Sequence, residues 1–291
     1  MGTSGSYGGP SPGSALVPTW IDPVGSPSVG PNLPPPDPVL PDAAPPTVPA
    51  APPVRPTPQT ALPDNFTAPR TNFTRFAGSG GNDRRSLGRA ISGYLSGGVG
   101  GNRGAVQRMG SSRGTTARLA SFLSDVANQG AQQALRSLNL EALAGRPIEE
   151  IFLGLADYIC PEGGTVDEGI ARDAFIETIA ELAGLGVTDL DALTPQQMQT
   201  VFELYAAHAI EARIYNDIGS KGVTLPADTR AVERIQAVLK DFIHRGVSDA
   251  VARSQTDLRT LAKAQVSSFV DTIYDDAFAI LQTMADGMAE S

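Results

Sequence analysis

Apolar side chains recur at helical spacing through most of the chain beyond residue 80, and no convincing run alternates with period two. Asn82 to Ser96 predicts a short helix with Leu87, Ile91, Tyr94 and Leu95 on one side. A second helix is expected from about Val106 to Leu138 through Leu119, Phe122, Leu123 and Val126, with Gly110, Gly114 and Gly130 weakening it toward a break. Pro147 marks a first turn, with Glu149 and Glu150 suiting the positive helix end, and that helix stops before Cys160-Pro161. Two capping boxes follow, Thr165 to Glu168 and Thr194 to Gln197. The first opens a helix carrying Ala171, Phe175, Ile179 and Leu182; the second opens one carrying Met198, Val201, Phe202, Tyr205, Ala209 and Ala212. Val232, Ile235, Leu239, Phe242 and Ile243 mark another helix after Pro226. The last is expected from about Ala264 to Met288, striped by Phe269, Val270, Ile273, Tyr274, Ala277, Ile280, Leu281 and Met284. The pattern predicts an all-α, multi-helix globular domain.

Residues 1–69 do not share that pattern. They hold 20 of the chain's 24 prolines and begin with a Gly/Ser-rich run. Too little bulky apolar side chain is present to offset the entropy of ordering, so a long disordered Pro/Gly-rich N-terminal tail is expected. Its middle, Pro31 to Pro58, favours extended polyproline II and would act as a semi-rigid spacer. The segment Ala15 to Asp22 stands apart because it contains Leu16, Val17, Trp20 and Ile21, with the only tryptophan of the chain. It reads either as a docking peptide anchored by Trp20 or as a segment that folds back on the chain's own helices. Three regions result: the tail 1–69, a Gly/Arg-rich helical segment 70–140, and an acidic all-helical domain 141–291.

Charge sharpens the division. Residues 1–69 carry one arginine against four aspartates, residues 70–118 nine arginines against Asp83, and the remainder 12 basic against 26 acidic groups. The net charge of −9 therefore hides a dipolar chain. Arg84, Arg85 and Arg89, with Arg103, Arg108, Arg113 and Arg118, could contact the phosphates of nucleic acid. The five-residue spacing of the last four fans them around a helix axis, about 500° per step. Pairing with the acidic remainder of the chain, or with a partner, is equally available. Nucleic acid is the less favoured reading.

Catalytic chemistry finds little support. Cys160 is the only cysteine, which excludes an internal disulfide and a thiolate cluster. It precedes a proline and has no base nearby, so a small buried or loop residue is expected. His208 sits beside the apolar face of its helix with Glu211 three residues on, and a metal reading would need ligands from other helices. His244 beside Arg245 is expected near a helix end, where a cation suits the dipole. Phosphate-loop, serine-hydrolase and zinc-protease motifs are missing from the sequence. The chain is expected to be non-catalytic, with no cofactor and no metal. No apolar run reaches membrane-spanning length and no signal segment is seen, so cytoplasm is the default compartment, with no membrane association.

The N-terminus is the sharpest feature. Gly2 is small enough to permit removal of Met1, which would leave a free glycine amine. Met1 to Ser6 also matches the short myristoylation pattern, without the polybasic patch that one acyl chain needs for stable anchoring. An α-amine with a pKa near about 8, on a thread without bulky side chains, is well shaped to enter an enzyme pocket.

Several strings together resemble the QatB family of the bacterial four-gene Qat anti-phage defence system. They are Thr71 to Arg85 (TNFTRFAGSGGNDRR), Gly2 to Gly9 with Leu16 to Trp20, Ile159 to Thr165 (ICPEGGT), and Asp167 to Phe175 (DEGIARDAF). The likeness spans nearly the whole chain apart from the proline spacer. It implies a defence role beside an ATPase, a QueC-like enzyme (QatC) and a TatD-like nuclease. A QueC-like enzyme activates a carboxylate on a deazapurine with ATP. The resemblance implies that the acceptor here is the N-terminal amine of the chain, which places the modification at Gly2. Thr3 to Gly9, with Thr3, Ser4 and Gly5 foremost, would thread the enzyme pocket; beyond what the resemblance implies, Leu16, Val17, Trp20 and Ile21 are expected to dock on its surface. Alternative roles are a nucleic-acid-binding adaptor using Arg84, Arg85 and Arg89, and an assembly factor for the partner ATPase.

Overall fold

The computed structural model describes residues 65–161, 163–184, 188–219 and 225–291. Among the described residues stand ten α-helices and no β-strand. They are α1 (Thr67–Gly78), α2 (Arg84–Gly93), α3 (Asn102–Gln107), α4 (Gly110–Gln129) and α5 (Ala131–Ser137), then α6 (Ile148–Ile159), α7 (Val166–Gly184), α8 (Pro195–Ile214), α9 (Thr229–Ser254) and α10 (Lys263–Glu290). Residues 1–64, with the Pro31–Pro58 spacer and the Trp20 segment, lie outside the described residues, whereas Thr67 to Pro69, expected within the tail, open α1 instead.

Local chemistry accounts for the helix starts. Thr194 Oγ1 accepts from the Gln197 N–H at 3.2 Å while the Gln197 side-chain oxygen accepts from the Thr194 N–H at 2.9 Å. Thr165 and Glu168 make the same reciprocal pair at 3.2 and 2.9 Å. A cap of this kind contributes about 1 kcal/mol. The helix expected over 106–138 is broken into α3, α4 and α5. Gly130, at a φ of +81°, separates α4 from α5 in a backbone conformation that a side chain would strain.

Distant residues complete two of the caps. The Asp167 carboxylate accepts from the Ser111 N–H at 2.7 Å, and Asp191 accepts from the Ala131 N–H at 2.7 Å. Each satisfies a first-turn donor that the helix itself leaves unpaired. Helix α1 occupies a stretch for which the pattern predicts no helix. It tolerates Pro69 in its first turn and buries Phe73, Phe76 and Ala77.

Helix α10 is the spine, packing against α2, α9, α4 and α3. Its buried stripe includes Phe269, Val270, Ile273, Tyr274, Ala277 and Leu281, and a Leu281-sized side chain contributes about 2 kcal/mol when fully buried. On the other side α8 packs on α7 and α9, and α7 also meets α4 and α6. One cluster of buried side chains runs from Phe73 of α1 to Ala285 of α10. The arginine-rich stretch and the acidic remainder thus share a core.

Candidate functional site

Helices α2 and α8 each end in a π-helical turn, Tyr94–Gly98 and Tyr215–Gly219, a widened geometry frequent at functional positions. The two turns meet. The Tyr94 phenol donates to Asp217 Oδ2 at 3.1 Å, and Arg108 places Nε and Nη2 each 3.1 Å from the same oxygen. Arg70 donates Nε and Nη2 to the Asp217 backbone carbonyl at 3.2 and 3.0 Å. Burial first, and the Asp217 charge second, hold the Tyr94 phenol well above its usual range.

Phe66, one residue before α1, closes this cluster. Its ring stacks on Tyr94 with centroids 5.8 Å apart. The guanidinium carbons of Arg70 and Arg108 lie 5.3 and 5.4 Å from its centroid, contacts worth about 0.5–1 kcal/mol each. A Cβ on Gly98 would stand 2.9 Å from the same ring, so glycine is what lets Phe66 seat there. The first described residues are therefore clamped onto the helical body.

The arginine block divides. Arg84, Arg85 and Arg89 are exposed on α2, with Arg85 Nε donating to the Ala289 carbonyl near the end of α10 at 3.0 Å. Arg108 turns to Asp217, Arg113 pairs with Asp271 of α10, and Arg118 Nε donates to the Ile159 carbonyl at 2.7 Å. Pairing with the acidic remainder of the same chain is what Arg108 and Arg113 do. Arg84, Arg85 and Arg89 face outward.

The histidines provide the least expected arrangement. His208 of α8 and His244 of α9 meet edge to face, with ring centroids 5.5 Å apart. Glu181 of α7 lies 2.9 Å from His208 Nε2, and the Lys240 ammonium lies 2.7 Å from the same Glu181 Oε2. On the other side of the ring, His208 Nδ1 faces Glu211 Oε2 at 4.0 Å. His244 Nε2 is buried with no hydrogen-bond partner. One donor atom from each of Glu181, His208 and His244 lies within 4.8 Å of the other two. His208, Glu211 and Lys240 also wall a cleft of about 410 Å³ that Asp173, Glu177 and Tyr215 complete.

Electrostatics follow from this burial. It pushes the Glu211 carboxyl up to about 7 and, with His208 as neighbour, pushes the His244 imidazole down to about 4. Burial also lowers His208. At Glu181 burial acts upward, but the hydrogen bond and charge of Lys240 outweigh it and the carboxyl is held below its usual range.

Two sequence expectations are thereby revised. His244 is not a cation near a helix end, because α9 continues to Ser254 and burial disfavours its charge. His208 does face Glu211, but its hydrogen bond goes to Glu181 on another helix. Ligands from other helices, the condition for reading metal chemistry here, are present: Glu181, His208 and His244 could hold a divalent transition ion. The only sequence signal was ionisable residues beside apolar stripes at helical spacing, Glu177 with Glu181 and Lys240 with His244. Cys160 is buried, as expected of a small residue ending a helix, and burial pushes its thiol up to about 11. That is far from a reactive thiolate. Gly2, Thr3, Ser4, Gly5, Leu16, Val17, Trp20 and Ile21 lie outside the described residues. No helix among the described residues is long and apolar enough to cross a membrane.

The family model described as Qat anti-phage system associated protein QatB matches residues 100–281. That stretch runs from the glycine pair before α3 to Leu281 of α10 and includes Asp217 and all members of the histidine cluster. No curated protein and no solved structure matches the chain.

Proposed function

The chain belongs to the QatB family, and is thus a component of an anti-phage defence system; from that premise we propose that it acts as a protein substrate and scaffold for a QueC-like enzyme. The acceptor in this reading is the amine of Gly2, freed by removal of Met1 and acylated by a deazapurine carboxylate that the partner activates with ATP. The Gly2 nitrogen attacks the activated carbonyl, the activating group leaves with its electron pair, and the amine loses a proton. Thr3, Ser4 and Gly5 enter the enzyme pocket, while Leu16, Val17, Trp20 and Ile21 dock outside it. Arg84, Arg85 and Arg89 offer a second, cationic contact.

The observation that best supports this division of labour is the clamp on Phe66. Two arginines and Tyr94 hold the chain at the boundary of the helical body, so whatever precedes Phe66 is presented from a fixed point. The proline-rich stretch then sets the reach of Gly2. Intact-mass measurement after co-expression with the QueC-like enzyme tests the reading. An N-terminal adduct is expected, absent in Gly2→Pro and in chains with a blocked N-terminus. An unmodified mass under conditions where the enzyme is active would refute it. Docking of the ATPase or the TatD-like nuclease on the helical body is the companion reading. It predicts co-purification that survives deletion of residues 2–22.

A further inference from the structure

We propose that Glu181, His208 and His244 form a binding site for a divalent transition-metal ion of the zinc class, independent of the chemistry at Gly2. Three helices supply one ligand each. α8 lies between α7 and α9 in the packing, so the imidazole of His208 is flanked by Glu181 on one side and His244 on the other.

The donor set selects the ion. Two imidazoles and a carboxylate suit zinc, cobalt or nickel, whereas magnesium and calcium prefer oxygen alone. Distances of about 2.0–2.2 Å from ion to ligand place ligand atoms about 3–3.5 Å apart. Glu181 and His208 already meet at 2.9 Å. The remaining separation, up to 4.8 Å, closes with side-chain shifts of about 1.3–1.8 Å shared between Glu181 and His244, within the reach of χ rotation.

Two further features point to a cation. His244 Nε2 is a buried ring nitrogen with no partner, a cost that a purely structural histidine pair would not need to carry. Glu211 stands on the Nδ1 side of His208, the position from which a carboxylate orients a metal-bound imidazole through its other nitrogen. The place of the ion is marked by a cation already: the ammonium of Lys240 at 2.7 Å from Glu181 Oε2. The Lys240 side chain is 38% exposed, so it can swing into solvent when a doubly charged ion displaces it. With three protein ligands, a water molecule would complete a tetrahedral set.

The test uses the untagged full-length chain, stripped with a chelator and titrated with zinc against a chromogenic competitor near neutral pH. One ion per chain is expected. His244→Gln and Glu181→Gln should each weaken binding about 100-fold or more, beyond the loss of about 10–100-fold typical of an outer-shell change. Lys240→Met removes the competing charge and should tighten binding several-fold. Cobalt should give the visible bands of a tetrahedral nitrogen–oxygen site without a thiolate charge-transfer band, which separates this site from Cys160. Absence of stoichiometric binding overturns the proposal, as does affinity unchanged by His244→Gln and Glu181→Gln. Equal or weaker affinity in Lys240→Met overturns the placement of the ion against Glu181.

Discussion

Gly88 of α2 rests directly on the backbone of α10 at Ala285: a Cβ at Gly88 would stand 2.6 Å from the Ala285 carbonyl oxygen and 2.8 Å from the Ala289 nitrogen. Backbone cannot yield as a flexible side chain does. Gly88→Ala therefore forces α2 and α10 apart, at an overpacking cost of about 1–3 kcal/mol that outweighs the gain in helix propensity, about 1 kcal/mol. Gly169 of α7 has nothing within 4 Å of its would-be Cβ, so Gly169→Ala should stabilise by about 0.5–1 kcal/mol. Urea denaturation of the two variants should move the midpoint in opposite directions. Equal shifts would show that the approach of α2 to α10 is not as close as described.

The cluster around Asp217 makes a graded prediction. Asp217→Ala strands the Tyr94 hydroxyl and the Arg108 charge in a part-buried setting and should cost about 3 kcal/mol. Tyr94→Phe removes one hydrogen bond and should cost about 1 kcal/mol. The Arg108 side chain is 41% exposed, so its coupling to Asp217 in a double-mutant cycle should be about 1 kcal/mol or less. A coupling several times larger would mean that solvent reaches Arg108 less than its exposure indicates.

Glu211 and His244 set opposing pH dependences in metal-free protein. The folded Glu211 binds its proton up to about pH 7, against 4.5 ordinarily. The native state therefore holds more protons than the unfolded chain across that window, and Glu211 makes stability fall as pH rises through it. His244 titrates near 4 when folded, against 6.5 ordinarily. There the unfolded chain holds more protons, so stability is lost as pH falls below 6.5. The two slopes largely cancel between about pH 4.5 and 6.5. In chelator-containing buffer, Glu211→Gln should unmask a midpoint that rises with pH there, and His244→Gln one that falls. Lys240, Glu177 and Glu181, which also face Glu211, remain in both variants and serve as the common background. Parallel profiles would contradict the assignment.

Exposed Arg84, Arg85 and Arg89 allow a test of the nucleic-acid alternative. Replacing all three by glutamine should leave stability within about 0.5 kcal/mol per site. Filter binding of single- or double-stranded DNA by the natural chain is expected to show no salt slope, and capture of the QueC-like enzyme should weaken in the triple variant. A steep slope that disappears with the three arginines would instead make the chain a nucleic-acid adaptor.

Legibility varied with the range of the interaction. The capping boxes at Thr165 and Thr194 were readable because both partners lie within one turn. The break at Gly130 is legible because glycine lowers helix propensity; that Gly130 adopts positive φ is seen only in the structure. The starts of α4 and α5 were less so, since the carboxylates of Asp167 and Asp191 reach them from far along the chain. Helix α1 is not legible in the pattern because Thr, Asn and Pro69 lower its intrinsic propensity, and burial of Phe73 and Phe76 against the other helices overrides that.

By itself the sequence determined the helical class, the apolar stripes that become the core, and the contrast between a proline-rich start and a helical body. These follow from composition and from a period of 3.6 residues, both local quantities. Only the tertiary structure decided that Arg108 meets Asp217, that Phe66 packs against Tyr94 and two arginines, and that His208 finds Glu181 and His244. Such meetings depend on which helix packs on which and at what rotation. An apolar stripe says that a helix face is buried, but not against which neighbour, and so not which ionisable groups at the stripe's edge will share a site.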